Sequence, residues 1–159
     1  MKRHLTAIVL AAGRGERLKS RASKPLIAIN SKAMILYCLR TFSRHPEITD
    51  IVVVVNNANL SDIKNKIKQC GIAKVKGIVL GGRRRQDSVL NGLKALDKNT
   101  DLVLIHDAAR PFIDSKSVSR VIARAKKCGA AILGVPVKAT IKKAGGSLSG
   151  FPVVEKTID

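Results

Sequence analysis

Leu10-Ala-Ala-Gly-Arg-Gly-Glu-Arg-Leu-Lys-Ser-Arg-Ala-Ser-Lys-Pro25 combines two tools that a polyphosphate ligand requires. Gly13 and Gly15 let backbone N–H groups come close to a bulky anion. Arg14, Arg17, Lys19, Arg21 and Lys24 then crowd positive charge onto the same stretch. The stretch lacks the third glycine and later acidic residue of a dinucleotide fingerprint, and the Gly-Lys-Ser/Thr ending of a P-loop. A solvated, charged turn is therefore its competing reading.

Three more polar stretches carry other tools. Gly81-Gly-Arg-Arg-Arg-Gln-Asp-Ser88 offers glycine backbone and Ser88, which either contacts a base or ribose or serves as a helix cap. Its three arginines either grip phosphates bidentately or form a solvated basic turn. In His106-Asp-Ala-Ala-Arg-Pro-Phe112, Asp107 suits ligand hydroxyls or a cation, and Arg110 suits a phosphate. A structural Asp107–Arg110 pair is the alternative. With no hydroxyl or thiol nucleophile beside it, His106 orients this loop rather than attacking. The fourth stretch, 136–140, adds the Thr140 hydroxyl.

What must position these groups is a set of short apolar runs just before them. Residues 7–10, 51–55, 75–80, 102–105 and 131–135 read as buried strands. Between them lie helical stripes: Met34, Ile35, Cys38, Leu39, Phe42; then Leu60, Ile63, Ile67, Cys70; then Val89, Leu90, Leu93, Leu96; then Val118, Val121, Ile122, Ala125. Pro46 and Gly129 stop the first and last stripes. Strand and helix alternating with short connections specify an α/β fold: a Rossmann-like open, mostly parallel sheet with helices on both faces. In such sheets ligands lie beyond the carboxyl ends of the strands, so the four stretches are expected to share one site. Beyond residue 137 the pattern changes. Thr140-Ile-Lys-Lys and Phe151-Pro-Val-Val flank the glycine-rich 144–150 and predict a β-hairpin arm. The expected organisation is one domain, 1–159, with a 1–136 core, a 137–159 arm, and a sheet left incomplete at the C-terminus.

The 159 residues are 45% hydrophobic and 26% charged, the composition of a folded domain, with a formal charge of +19 that favours anionic partners. Aromatic residues are only 3%, leaving few platforms for base stacking, which argues against nucleic acid as the partner. Three widely spaced cysteines give neither a disulfide framework nor a zinc site. The first apolar run is too short to span a membrane. The expectation is a soluble cytoplasmic protein.

Leu10-Ala-Ala-Gly-x-Gly-x-Arg with its downstream Lys24-Pro25 resembles the nucleotidyltransferases that join a sugar or polyol phosphate to a nucleoside triphosphate, the nucleotide-diphospho-sugar transferase type. Gly81-Gly-x-x-Arg-x-Asp-Ser, His106-Asp-Ala-Ala-Arg-Pro and Val135-Pro-Val-Lys-x-Thr-Ile-Lys142 narrow the resemblance to the 2-C-methyl-D-erythritol 4-phosphate cytidylyltransferase family. It implies transfer of CMP from CTP to methylerythritol phosphate with release of pyrophosphate. It also implies Mg²⁺ held mainly through the CTP phosphates, no protein metal ligands, and a homodimer through the arm. Carried over by motif, Arg17 and Lys24 are catalytic, Ala11, Ala12, Gly13, Gly82 and Ser88 hold CTP, and Asp107, Arg110 and Thr140 hold the polyol phosphate. Relatives that make CDP-ribitol share most of these motifs, so ribitol 5-phosphate is an alternative substrate. A remnant that binds nucleotide or nucleic acid without turnover is another.

Three departures stand out. Ser23 precedes Lys24 where the family often has proline, and Ala139 replaces the usual aspartate before Thr140. The family's further C-terminal segments, with an arginine and a later lysine for the substrate phosphate, do not follow Asp159. The resulting expectation is weak or no activity for the isolated chain.

Overall fold

The computed structural model describes residues 3–13, 23–136, 138, 140–149 and 151–158. Four strands, β1 (Leu5–Leu10), β4 (Asp50–Val55), β5 (Val75–Leu80) and β6 (Leu102–Asp107), pair in parallel in the order β5-β4-β1-β6. Two very short strands, β2 (Ala28–Ile29) and β3 (Lys32–Ala33), form a separate hairpin. Its two turn residues, Asn30 and Ser31, take φ of 46° and 63°, as a tight two-residue hairpin demands.

Four helices connect the strands: α1 (Met34–Arg44), α2 (Leu60–Gln69), α3 (Arg85–Lys94) and α4 (Ser115–Cys128). Alternate strand residues divide them between two faces. Leu5, Ala7, Val9, Ile51, Val53 and Val55 pack with Ile35, Leu39 and Phe42 of α1, Ile63 of α2 and Val118 and Ile122 of α4. On the opposite face, α3 approaches β1 and β4 so closely that a Cβ on Gly92 would lie 2.7 Å from Ile8 Cγ2. Helices therefore cover both faces, as the sequence pattern predicts. Gly129, at φ 83°, ends α4 with its N–H donated to the Ala125 carbonyl at 2.8 Å.

The structure corrects two expectations. Residues 131–135 form no strand, and Ile132 and Val135 are 93% and 87% exposed. Among the described residues no strand lies against them, and an apolar run without a ladder leaves its backbone to water. The arm is a hairpin of β7 (Ile141–Leu148) and β8 (Phe151–Ile158), but the glycine-rich 144–147 belongs to β7 instead of forming the loop. Two register irregularities, at Lys143/Ala144 and Ala144/Gly146, absorb the glycines, and the turn begins at Ser149, with φ of 50°.

Candidate functional site

The strand order reverses direction once. From β1 the chain steps to β4 and β5, then crosses back through α3 to β6 on the other side of β1. A parallel sheet opens a crevice at such a reversal, beyond the carboxyl ends of its strands. The ladder runs on into the loops that border it. Ala11 N–H donates to the Val54 carbonyl (2.6 Å), Gly81 N–H to that of Val55 (2.8 Å), and Ala108 N–H to that of Leu10 (2.9 Å). Three loops thus leave the sheet in register with one another.

Ala11 is buried, Ala12 half-buried and Gly13 exposed, with open space where a Gly13 side chain would stand. Ala12 packs against the second loop, where a Cβ on Gly81 would fall 2.4 Å from Ala12 Cβ and 2.6 Å from Ser88 Oγ. Only glycine fits there. Ser88 does not cap α3. It sits inside the helix, accepts the Gly82 N–H at 3.1 Å and donates to the Arg84 carbonyl at 3.3 Å, which closes the loop onto the helix. The cap is made by Asp87, whose carboxylate accepts the Arg84 backbone N–H (2.9 Å) and its guanidinium (2.9 Å). That hydrogen bonding holds the Asp87 carboxyl below its ordinary range.

Asp107 closes β6 between two guanidinium groups. Arg85 donates through Nε (3.1 Å) and Nη2 (2.9 Å) to Oδ1, while Arg110 Nε lies 3.5 Å from Oδ2. Of the three arginines at 83–85, Arg84 pairs with Asp87 and Arg85 reaches across to Asp107, while their side chains stay 67% and 64% exposed. His106 orients the loop as expected. Its Nε2 donates to the Arg110 carbonyl at 2.9 Å, and its ring meets Phe42 edge-on with centroids 5.1 Å apart. Burial pushes the imidazole pKa down, so the neutral ring is favoured. A cavity of about 590 Å³ opens beside Arg85, Asp107 and Arg110 and continues along β6 past Leu104 and Phe42.

Lys24 begins a short 3-10 turn, Lys24–Leu26, that is anchored by the buried Pro25. Two residues not singled out from the sequence tie this turn to β1. Asn59, fully buried before α2, donates to the Ala11 carbonyl (2.9 Å) and to Ser23 Oγ (2.8 Å). Asn56 Nδ2 donates to the Ala12 carbonyl at 3.2 Å. The signal was the polar run Asn56-Asn57-Ala58-Asn59 between strand and helix, where asparagine caps and turns are favoured. Contacts thus link the first loop to the second at Ala12 and Gly81, the second to Asp107 through Arg85, and Ala11 to Ser23, beside Lys24, through Asn59; of the residues expected at the site, Asp107 and Arg110 line the cavity. Thr140 is exposed just before β7, and no hydrogen bond among the described residues joins it to these loops. Arg17 lies outside the described residues.

Known proteins resemble this chain in sequence and fold. The family model for IspD, 2-C-methyl-D-erythritol 4-phosphate cytidylyltransferase, matches residues 5–159. The enzyme of that name from Clostridium botulinum (strain Langeland) is 44% identical over 137 residues, covering 86% of this chain and 60% of that protein. Its namesake from Clostridium acetobutylicum is 44% identical over 154 residues, covering 96% of this chain and 65% of the relative. The crystal structure of 4-diphosphocytidyl-2C-methyl-D-erythritol synthase from Anaerococcus prevotii matches with a TM-score of 0.82 at 29% identity, over 99% of this chain and 64% of that one. The chain thus spans about 60–65% of the length of these relatives.

Proposed function

The chain belongs to the 2-C-methyl-D-erythritol 4-phosphate cytidylyltransferase family, and we propose that its crevice binds CTP and methylerythritol phosphate for transfer of CMP. The observation that supports this reading is that the loops after β1, β5 and β6 leave the carboxyl ends of strands at the sheet's switch point and are joined by the Ala12–Gly81 packing and the Arg85–Asp107 pair. A phosphate oxygen of the polyol phosphate attacks the α-phosphorus of CTP in line. One P–O bond forms, the bond to the β-phosphate oxygen breaks, and pyrophosphate leaves with the electron pair. No enzyme nucleophile takes part, so catalysis is positioning and charge stabilisation.

In this reading Ala11, Ala12, Gly13, Gly82 and Ser88 form the CTP wall. Lys24 and Arg17 stabilise charge that grows on the α-phosphate and pyrophosphate. Arg110 takes the polyol phosphate, and Asp107, held by Arg85, accepts hydroxyls. Thr140 joins from the base of the arm. Asp107 and Asp87 already face arginines, so the donor set fits a Mg²⁺ ion carried on the CTP phosphates better than one caged by carboxylates. When bound, that ion neutralises phosphate charge. The arm exposes Ile141 and its ladder partner Ile158 on one face, an apolar pair suited to contact with a second copy.

The test measures CTP binding by calorimetry and pyrophosphate release with methylerythritol phosphate in parallel. Lys24→Ala is expected to lower turnover about 10²–10³-fold with an unchanged melting temperature. Unaltered turnover in that variant, or failure of the parent chain to bind CTP, overturns the reading.

A further inference from the structure

Asn59 is completely buried, and every polar atom of its side chain is engaged. Nδ2 donates one proton to the Ala11 carbonyl at 2.9 Å and the other to Ser23 Oγ at 2.8 Å. Oδ1 accepts the Asn56 N–H at 3.0 Å, while the Asn59 N–H donates to Asn56 Oδ1, also at 3.0 Å. Asn56 spends its own amide nitrogen on the Ala12 carbonyl. The two asparagines form a reciprocal pair whose free donors both point at the loop after β1. A single carboxamide thus joins Ala11, just after β1, to Ser23. Ser23 is covalently followed by Lys24.

Among the described residues, the other backbone hydrogen bonds of the chain around Lys24 lie on its far side, where Pro25 is buried and Leu26 packs against the core. Leu26 N–H donates to the Ser23 carbonyl (2.8 Å), Ile27 N–H to that of Lys24 (3.2 Å), and Met34 N–H to that of Ile27 (2.8 Å). Those bonds shape the turn but do not locate it against β1. The Asn59 bridge does, and only a side chain with two N–H donors and one acceptor satisfies this set of partners. An aspartate there would aim a buried anion at the Ala11 carbonyl oxygen.

We propose that Asn59, acting through Ser23, is a positioning residue that fixes Lys24 relative to the Ala11–Gly13 wall. The inference rests on the CTP reading of that wall. In-line transfer is sensitive to displacements of about 1 Å, so locating one cation on this scale is worth a measurable share of binding.

Ser23→Ala tests it, because it removes one end of the bridge while Asn59 keeps Ala11 and Asn56. CTP with Mg²⁺ is titrated to millimolar concentration against the full chain in a double-mutant cycle with Lys24→Ala. Ser23→Ala is expected to weaken CTP binding about 3–10-fold in the parent, and less than about 2-fold in the Lys24→Ala background. Ser23→Thr, which keeps the hydroxyl, restores parental affinity. Equal losses in both backgrounds overturn the proposal, as does an unaffected Ser23→Ala variant. Asn59→Ala, if it folds, reproduces the same coupling to Lys24, and independent losses again count against the proposal. Failure of the unaltered chain to bind CTP strikes the reading of the site itself, and so is distinguishable from failure of the positioning role.

Discussion

β4 and β6 flank β1, and each pairs with it in parallel through consecutive residues. Ile51 to Val55 in β4 are all 3% exposed or less. In β6 only the neighbouring Ala108 reaches that depth, and Ile105 remains 43% exposed. The two apolar runs are similar in composition. β4 has β1 and β5 on its edges and helices on both faces, whereas among the described residues β6 pairs with β1 alone. Burial therefore follows from neighbours more than from the strand's own residues. The proposed CTP wall begins at β1, on the closed side, and takes its second loop from β5, among the described residues an edge strand like β6. The Asp107–Arg110 loop grows from the open side, at β6.

Substituting matched residues gives the largest expected effect. Ile51→Ala leaves a cavity in packed surroundings and is expected to cost about 2–5 kcal/mol. Ile105→Ala removes side-chain atoms that already meet water, at a cost of about 1 kcal/mol. Urea midpoints at unchanged slope measure both. Equal losses would mean that β6 is as closed as β4.

The same contrast explains what could be read from the chain alone. Continuous β-branched runs and helical stripes are local signals, and they placed β1, β4, β5, β6 and all four helices. Residues 131–135 carry the same local signal and form no strand, because a ladder needs a partner that local sequence does not encode. The site divides likewise. Gly13, Gly82, Asp107 and Arg110 were singled out because the residue types at each strand end and in the loop after it announce them. Arg85 and Asn59 were not, because their roles lie in contacts 22 and 48 residues away. Of the two readings of Ser88 the structure excludes the cap: serine near a helix start suggests one, but Asp87 already holds that place.

The next effect is read by pH, and it is common to both sides. His45, 1% exposed, accepts the Glu47 N–H at Nδ1 (3.2 Å) and donates from Nε2 to Ser119 (2.9 Å). Glu47 and the ammonium of Lys74, which donates to the His45 carbonyl, are the charges that face it. Burial lowers the pKa of His45, as it does for His106 on β6 beside Asp107 and Arg110. Each ring is thus easier to protonate in the unfolded chain. Their contribution is present in full above about pH 6.5, is lost as pH falls below that value, and levels off below the folded pKa values. Melting temperatures across this window should fall less steeply in His45→Asn and in His106→Asn. A parent stability that rises on acidification through this window contradicts the assignment of both rings as neutral.

The smallest effect on stability belongs to Asp107, which separates the two sides most clearly by function. Its partners Arg85 and Arg110 are 64% and 78% exposed at the side chain, and ion pairs that open to solvent contribute about 0–1 kcal/mol. Asp107→Asn keeps the shape and one carbonyl acceptor, so the unfolding midpoint should scarcely move. Removing the charge frees two guanidinium groups from their common anchor, and with it the loop that the proposed function assigns to the polyol phosphate. The expected signature is a raised KM for that substrate with CTP affinity nearly unchanged, read from pyrophosphate release and calorimetry on one preparation. A loss of CTP affinity equal to the rise in KM would mean that the open and closed sides act as one binding surface. A loss of stability comparable to that of Ile51→Ala would mean that the Asp107 cluster holds the sheet edge together instead of serving the ligand.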